Sequence, residues 1–311
     1  MSRFAFVFPG QGSQSRGMMN GYGDFPVVRE TFVEAGDILK QDLWQLVAEG
    51  ADADLNATVN TQPIMLTAGV AVYRAWQSLN GPEPQLLAGH SLGEYTALVA
   101  AGAINFSDAL PLVRYRAECM QQAVPEGVGG IAAILGLDDD SVRAVCTEAA
   151  QGEVLEAVNY NSPGQVVIAG DRAAVERGME LAKAKGAKRA LMLPMSVPSH
   201  CSLLQGAAEK LRAYLENVAV QTPAIPVLHN ADVKSHDDGA AIKDALVRQL
   251  YSPVRWVETV QAFGAAGISH NAECAPGKVL AGLNRRIDTN QQALALNDGE
   301  ALKQALATLS Q

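Results

Sequence analysis

The run Leu86-Leu87-Ala88-Gly89-His90-Ser91-Leu92-Gly93-Glu94-Tyr95 constrains the fold of this chain more than any other stretch. A short apolar segment enters G-x-S-x-G and leaves it into Thr96-Ala97-Leu98-Val99-Ala100-Ala101, the pattern of strand, sharp turn and helix. Such a turn pushes the serine Oγ out of the sheet. Gly89 and Gly93 leave room where a Cβ would crowd the crossing backbones. The first amides of the helix have no intrahelical partner, so the Leu92 N–H and the positive helix end point toward any oxyanion formed beside Ser91. The same five letters also describe an inert Gly-Ser turn; the strand before them and the helix after them favour a nucleophile.

A chain of 311 residues that is 48% hydrophobic can bury a full core and carry one large domain plus an insertion. Its apolar run Arg3 to Pro9 breaks into Gly10-Gln11-Gly12-Ser13-Gln14-Ser15-Arg16-Gly17. The third glycine comes too late for a dinucleotide fingerprint and no G-K-[ST] follows, so a nucleotide loop is disfavoured. Gly10 and Gly12 instead let backbone approach a ligand atom closely, which makes the Gln11 N–H a candidate second oxyanion donor beside that of Leu92. Helical spacing runs from Thr31 to Val47 and from Gln62 to Leu79, with Pro63 at the start of the second helix. A further helix, capped by Ser107 or Asp108 and reaching about Ala123, places Arg116 on the same side as Leu112, Val113, Cys119 and Met120. An inward guanidinium must find an anion. Two partners fit: a local carboxylate in a structural salt bridge, or a ligand carboxylate gripped by the planar fork.

From Gly127 the order becomes Ile131–Leu135 strand, Asp140–Ala150 helix, a hairpin of Val154–Tyr160 and Gln165–Ala169, Ala173–Lys185 helix and Ala190–Met195 strand. This β-α-β-β-α-β order predicts a ferredoxin-like insertion, with a ligand cleft between the lobes. The chain leaves it through Ser196-Val197-Pro198-Ser199-His200-Cys201. A single histidine is commonly structural, yet His200 stands at a lobe boundary downstream of a candidate nucleophile and is the candidate base. The helix Ala240 to Tyr251 must stop near Ser252 because Pro253 follows, leaving its last carbonyls, Gln249 among them, without intrahelical partners. One of these could accept the Nδ1–H of His200, with Asp232 as the alternative. Gly267 to Leu283 reads as strand, turn at Pro276-Gly277 and helix, with Arg285-Arg286 at the end where cations suit the dipole. Cys119, Cys146, Cys201 and Cys274 lack metal or disulfide spacing and are expected to be inert thiols.

Phe8-Pro9-Gly10-Gln11-Gly12-Ser13-Gln14, Gly89-His90-Ser91-Leu92-Gly93-Glu94-Tyr95, Arg116, Asn159-Tyr160-Asn161-Ser162-Pro163-Gly164-Gln165, Val197-Pro198-Ser199-His200 and Gln249…Pro253-Val254-Arg255-Trp256 together resemble the acyltransferase family in its free-standing bacterial form. The resemblance covers nearly the whole chain. It implies an α/β fold, an α/β-hydrolase-like large domain (residues 1–125 and 198–311) with an inserted ferredoxin-like small domain (126–197). It implies Ser91 as nucleophile, His200 as base, the Gln11 and Leu92 amides as oxyanion hole, Arg116 on a malonyl carboxylate, and the Gln249 backbone carbonyl orienting His200. Where the family usually carries glycine before Pro-Gly-Lys, this chain has Ala275.

The activity so implied is ping-pong transfer of malonyl from malonyl-CoA to the phosphopantetheine thiol of acyl carrier protein, for fatty acid synthesis, with no metal or redox cofactor. A serine thioesterase or hydrolase is the alternative. No membrane-length apolar run and no signal-peptide layout is seen, so a cytoplasmic location is expected; a monomer is the expected state, although nothing in the sequence gives it. A net charge of −9 argues against nucleic acid as a partner. An acidic carrier protein must then find a local basic patch, for which Lys183, Lys185, Lys188, Arg189, Arg285 and Arg286 are the candidates.

Overall fold

The computed structural model describes residues 2–125, 127–195 and 197–311. Its strands are β1 (Phe4–Phe8), β2 (Leu86–Gly89), β3 (Gly129–Leu135), β4 (Leu155–Ser162), β5 (Gln165–Asp171), β6 (Arg189–Met192), β7 (Val227–Leu228), β8 (His270–Glu273) and β9 (Gln292–Ala295). Five of them form a parallel sheet in the order β7-β2-β1-β8-β9. All five residues of β1 are buried, as a strand covered on both faces requires. Phe4, Phe6 and Phe8 pack toward Tyr73 and Trp76, whereas Ala5 and Val7 join the cluster of Trp256, Val260 and Phe263 on the other face. The sheet is therefore the middle layer of an α/β/α stack, and β2 ends near its centre at the serine turn.

The remaining strands form an antiparallel sheet, β4-β5-β3-β6, with the helices Asp139–Ala150 and Arg172–Ala184 packed through a separate core of Ile134, Val142, Val145, Ile168 and Val175. The β-α-β-β-α-β order is as read from the sequence. The expected partition at 125/126 and 197/198 adjoins Glu126 and Ser196, which lie outside the described residues. β4 carries two register shifts and is tied to the parallel layer at three levels. Val254 N–H donates to the Val158 carbonyl at 2.9 Å and Tyr160 N–H to the Val254 carbonyl at 3.1 Å. Asn161 Oδ1 lies 2.8 Å from His90 Nε2, and Glu156 accepts from the backbone and hydroxyl of Ser202.

Three helix boundaries differ from the sequence reading. The expected helix Thr31–Val47 is two, Pro26–Leu39 and Leu43–Glu49: Lys40 turns left-handed (φ 54°) and Asp42 caps the second by accepting from Gln45 N–H at 2.9 Å. The helix expected from Gln62 starts at Thr58, with Pro63 inside it; Asn60 and Thr61 N–H both donate to the Ala57 carbonyl and add the turn before the proline. Asn105, not Ser107 or Asp108, precedes the helix Phe106–Ala123. At the family's usual glycine position, Ala275 is buried and avoids left-handed backbone, so the turn forms without glycine. The four cysteines are free and buried. No helix among the described residues is long and apolar enough to cross a membrane.

Candidate active site

β2 delivers its last residue, Gly89, into a turn where a Cβ would lie 1.8 Å from the Gly93 carbonyl carbon; a Cβ on Gly93 would lie 1.9 Å from the Phe8 oxygen. Both positions are closed to any other residue. Between them Ser91 is held at φ 53°, a left-handed conformation that costs a non-glycine residue about 1–3 kcal/mol. Asn230 holds it there: its Oδ1 accepts from Ser91 N–H at 2.7 Å while its Nδ2 donates to the Gly89 carbonyl at 2.6 Å. The Gly10 loop lies against the same turn, since a Cβ on Gly10 would meet the His90 oxygen at 2.6 Å and the Leu92 nitrogen at 3.6 Å. Gln11 follows directly, and its Oε1 accepts from Thr58 Oγ at 2.6 Å.

His200 also has left-handed backbone, at φ 67°, and its N–H donates to the Leu250 carbonyl at 3.0 Å. Its Nε2 lies 2.8 Å from Ser91 Oγ and its Nδ1 2.7 Å from the Gln249 carbonyl. A carbonyl only accepts, so Nδ1 carries the proton and Nε2 accepts from the serine hydroxyl. Asp232, the alternative partner, is taken up by His236 (3.0 Å) and Arg248 (2.9 Å). Burial first, and then the nearby Arg116 charge, push the His200 pKa from 6.5 down to about 3. The ring is thus neutral at physiological pH, the form a general base needs.

That depression has a sign that can be tested. Between pH 6.5 and about 3 the unfolded chain holds a proton on His200 that the folded chain lacks, so stability present above 6.5 is lost as pH falls. For the reaction, the acid limb of kcat/KM for acylating Ser91 is expected well below 6.5, and Arg116→Ala should move it upward by removing the neighbouring cation. Stopped-flow release of the leaving thiol across pH measures both; an acid limb fixed at 6.5 in both proteins would contradict this environment.

Arg116 is 1% exposed. Nη1 donates to Gln62 Oε1 at 2.8 Å, and Nη2 to Gln249 Oε1 at 3.0 Å and to Ser91 Oγ at 3.2 Å. The guanidinium lies over the Tyr95 ring at 5.3 Å, and Nε has no partner. No ion pair among the described residues includes Arg116. The structural salt bridge is therefore set aside. A buried cation held by neutral amides and facing a serine hydroxyl is a receptor for a ligand carboxylate. A cavity of about 70 Å³ runs along Gln11, Ser91, Leu92, Arg116 and His200, with Ile131 and Met195 also in its lining. Among the described residues no cluster of three His, Cys, Asp or Glu could hold a metal ion.

All six sequence-predicted site residues thus converge. Sequence reasoning missed Gln62 and Asn230, which carry no spacing signal, and Glu94, the only charge in an otherwise apolar helix start and buried at 0% exposure. The expected basic patch is largely engaged: Lys183 pairs with Glu180, Lys185 with Glu148, Arg285 donates to the Ala293 carbonyl and Arg286 to Gln165. All six, Lys188 and Arg189 included, are exposed.

A family model described as acyl transferase domain matches residues 5–295. The malonyl CoA-acyl carrier protein transacylase of Salmonella typhimurium (strain LT2) is 55% identical over 98% of this chain and 99% of its own length, and that of Escherichia coli (strain K12) is 54% identical over the same shares. Among solved structures, the acyl-carrier-protein S-malonyltransferase of Burkholderia pseudomallei 1710b superposes with a TM-score of 0.97 at 61% identity, covering 98% of this chain and 99% of the other. A malonyl-transacylase in complex with its type II PKS acyl-carrier protein superposes with a TM-score of 0.98 at 52% identity, covering 99% and 100%.

Proposed function

Because this chain belongs to the acyl transferase domain family, we propose that it moves a malonyl group from malonyl-CoA to the phosphopantetheine thiol of acyl carrier protein. One observation carries the reading furthest: Ser91 Oγ is reached by His200 Nε2 at 2.8 Å and by Arg116 Nη2 at 3.2 Å, and among the described residues that arginine has no carboxylate in direct contact. A nucleophile and a carboxylate receptor so close select a short acyl group with an acid at its far end.

His200 Nε2 takes the Ser91 proton as Oγ attacks the thioester carbonyl. The carbonyl oxygen becomes an anion between the Gln11 and Leu92 amides, a contribution of about 10²–10³ in rate per donor. As the tetrahedral species collapses the C–S bond breaks, and His200 returns the proton to the departing CoA sulfur. The carrier thiol then gives its proton to His200, attacks the serine ester, and Ser91 leaves with that proton. The Gln249 carbonyl holds the imidazole throughout, so no carboxylate is needed behind it. Arg116 grips the malonyl carboxylate in both halves. An acetyl group would leave that cation without an anion, which disfavours it.

The sheet order β4-β5-β3-β6 supports a ferredoxin-like small unit, and the serine turn on a parallel sheet supports a hydrolase-like large one. A cytoplasmic location goes with the substrates proposed. Mixing it with malonyl-CoA and phosphopantetheinylated carrier is expected to give malonyl-carrier and free CoA. Free malonate as the main product would instead mark a hydrolase.

A further inference from the structure

Behind the reacting groups lies a carboxylate that the mechanism does not use. Glu94, in the helix Gly93–Ala100, is fully buried, and three donors converge on it: His229 Nδ1 on one oxygen at 2.7 Å, Asn230 N–H at 2.8 Å and Gln249 Nε2 at 2.9 Å on the other. Three acceptances and no donation is the pattern of an anion. Among the described residues His229 Nε2 is buried without a partner, so a proton there would be a buried unpaired donor, and the ring meets Glu94 through Nδ1 alone. The Glu94 charge is therefore not spent on the histidine.

It is one amide away from Arg116. Gln249 points its Oε1 at Arg116 Nη2 (3.0 Å) and its Nε2 at Glu94 Oε2 (2.9 Å), and the same Nε2 donates to the Ser91 carbonyl at 2.8 Å. The amide dipole thus lies with its negative end on the cation and its positive end on the anion.

We propose that Glu94 is the counter-ion of Arg116, acting through the Gln249 side-chain amide, and so is a positioning residue that sets how strongly the site holds an acyl carboxylate. This rests on the malonyl reading above. A carboxylate in direct contact would occupy the fork and exclude the ligand. With no anion at all, the buried guanidinium would hold its ligand tightly and destabilise the empty site. An interposed amide avoids both. The nearby Glu94 charge supports the protonated form of Arg116 against the burial that opposes it.

The test is Glu94→Gln, read as the ratio of malonyl-CoA to acetyl-CoA loading of Ser91. Glutamine keeps the shape, and moving the His229 proton to Nε2 lets the new amide donate to Nδ1. With the repelling charge gone, KM for malonyl-CoA is expected to fall by about three- to tenfold relative to that for acetyl-CoA. The charge swap E94Q/Q249E keeps the net charge and the backbone carbonyl that holds His200, but puts a carboxylate directly on Arg116. Its malonyl preference should drop by at least about tenfold. Equal changes for the two acyl groups, or a KM for malonyl-CoA that rises selectively in Glu94→Gln, would overturn the proposal. If the single variant does not fold, the swap alone decides, by the same ratio. Failure of the parent reading looks different: the unaltered protein would form no malonyl ester at all.

Discussion

Ser91→Ala is expected to abolish formation of a malonyl adduct and to cut transfer to carrier protein by about 10³–10⁶-fold, the range in which losing a nucleophile leaves only binding and oxyanion stabilisation. The size follows from the covalent path. Without Oγ there is no ester, and direct attack by one thiol on another's thioester would need both bulky substrates at one cavity of about 70 Å³. Alanine keeps the Cβ and the N–H that Asn230 accepts, so the turn should survive and circular dichroism should be unchanged. Intact mass after mixing with malonyl-CoA is the direct reading. An adduct that persists in the variant would remove Ser91 from the mechanism.

For Arg116→Ala, malonyl loading should fall by about 30- to 5,000-fold, corresponding to about 2–5 kcal/mol for truncating one partner of a buried, hydrogen-bonded charge pair. Acetyl loading should fall far less, because acetyl never makes that pair. The comparison matters more than either rate, since the substitution also strips Gln62 and Gln249 of a donor and loosens the pocket for every substrate. Arg116→Lys should fall between the two: a point charge can reach the carboxylate but cannot also span both amides. Equal losses for malonyl and acetyl would reduce Arg116 to a packing role.

What was legible in the sequence follows from how local each signal is. The serine turn is written in seven adjacent residues whose glycines answer to contacts of 1.8–1.9 Å, and Arg116 could be placed by helical phase alone. The Gln249 carbonyl was reachable because Pro253 ends its helix. Asn230 could not be read in this way: it follows a strand of two residues, Val227–Leu228, too short for any periodicity, and it acts on the serine turn through Ser91 and Gly89, 139 and 141 positions away. That no carboxylate among the described residues touches Arg116 is likewise a tertiary fact. The break at Lys40 and the start at Thr58 were missed because the apolar spacing runs on across the first and begins only after the second, whereas the caps and turn bonds that decide them involve single residues. For the basic patch, counting cations along the chain did not show the glutamates beside Lys183 and Lys185, one from the same helix and one from a neighbouring helix.

Ser91 and His200 share a feature with a consequence for the life of the molecule: each holds a backbone shape that it would shed if released. Their restraints, Asn230 and the carbonyls of Gln249 and Leu250, lie in the last third of the chain. A growing polypeptide therefore exposes its serine long before it can arm it. Neither side chain can hold its working conformation until the segment that carries Asn230, Gln249 and Leu250 has docked.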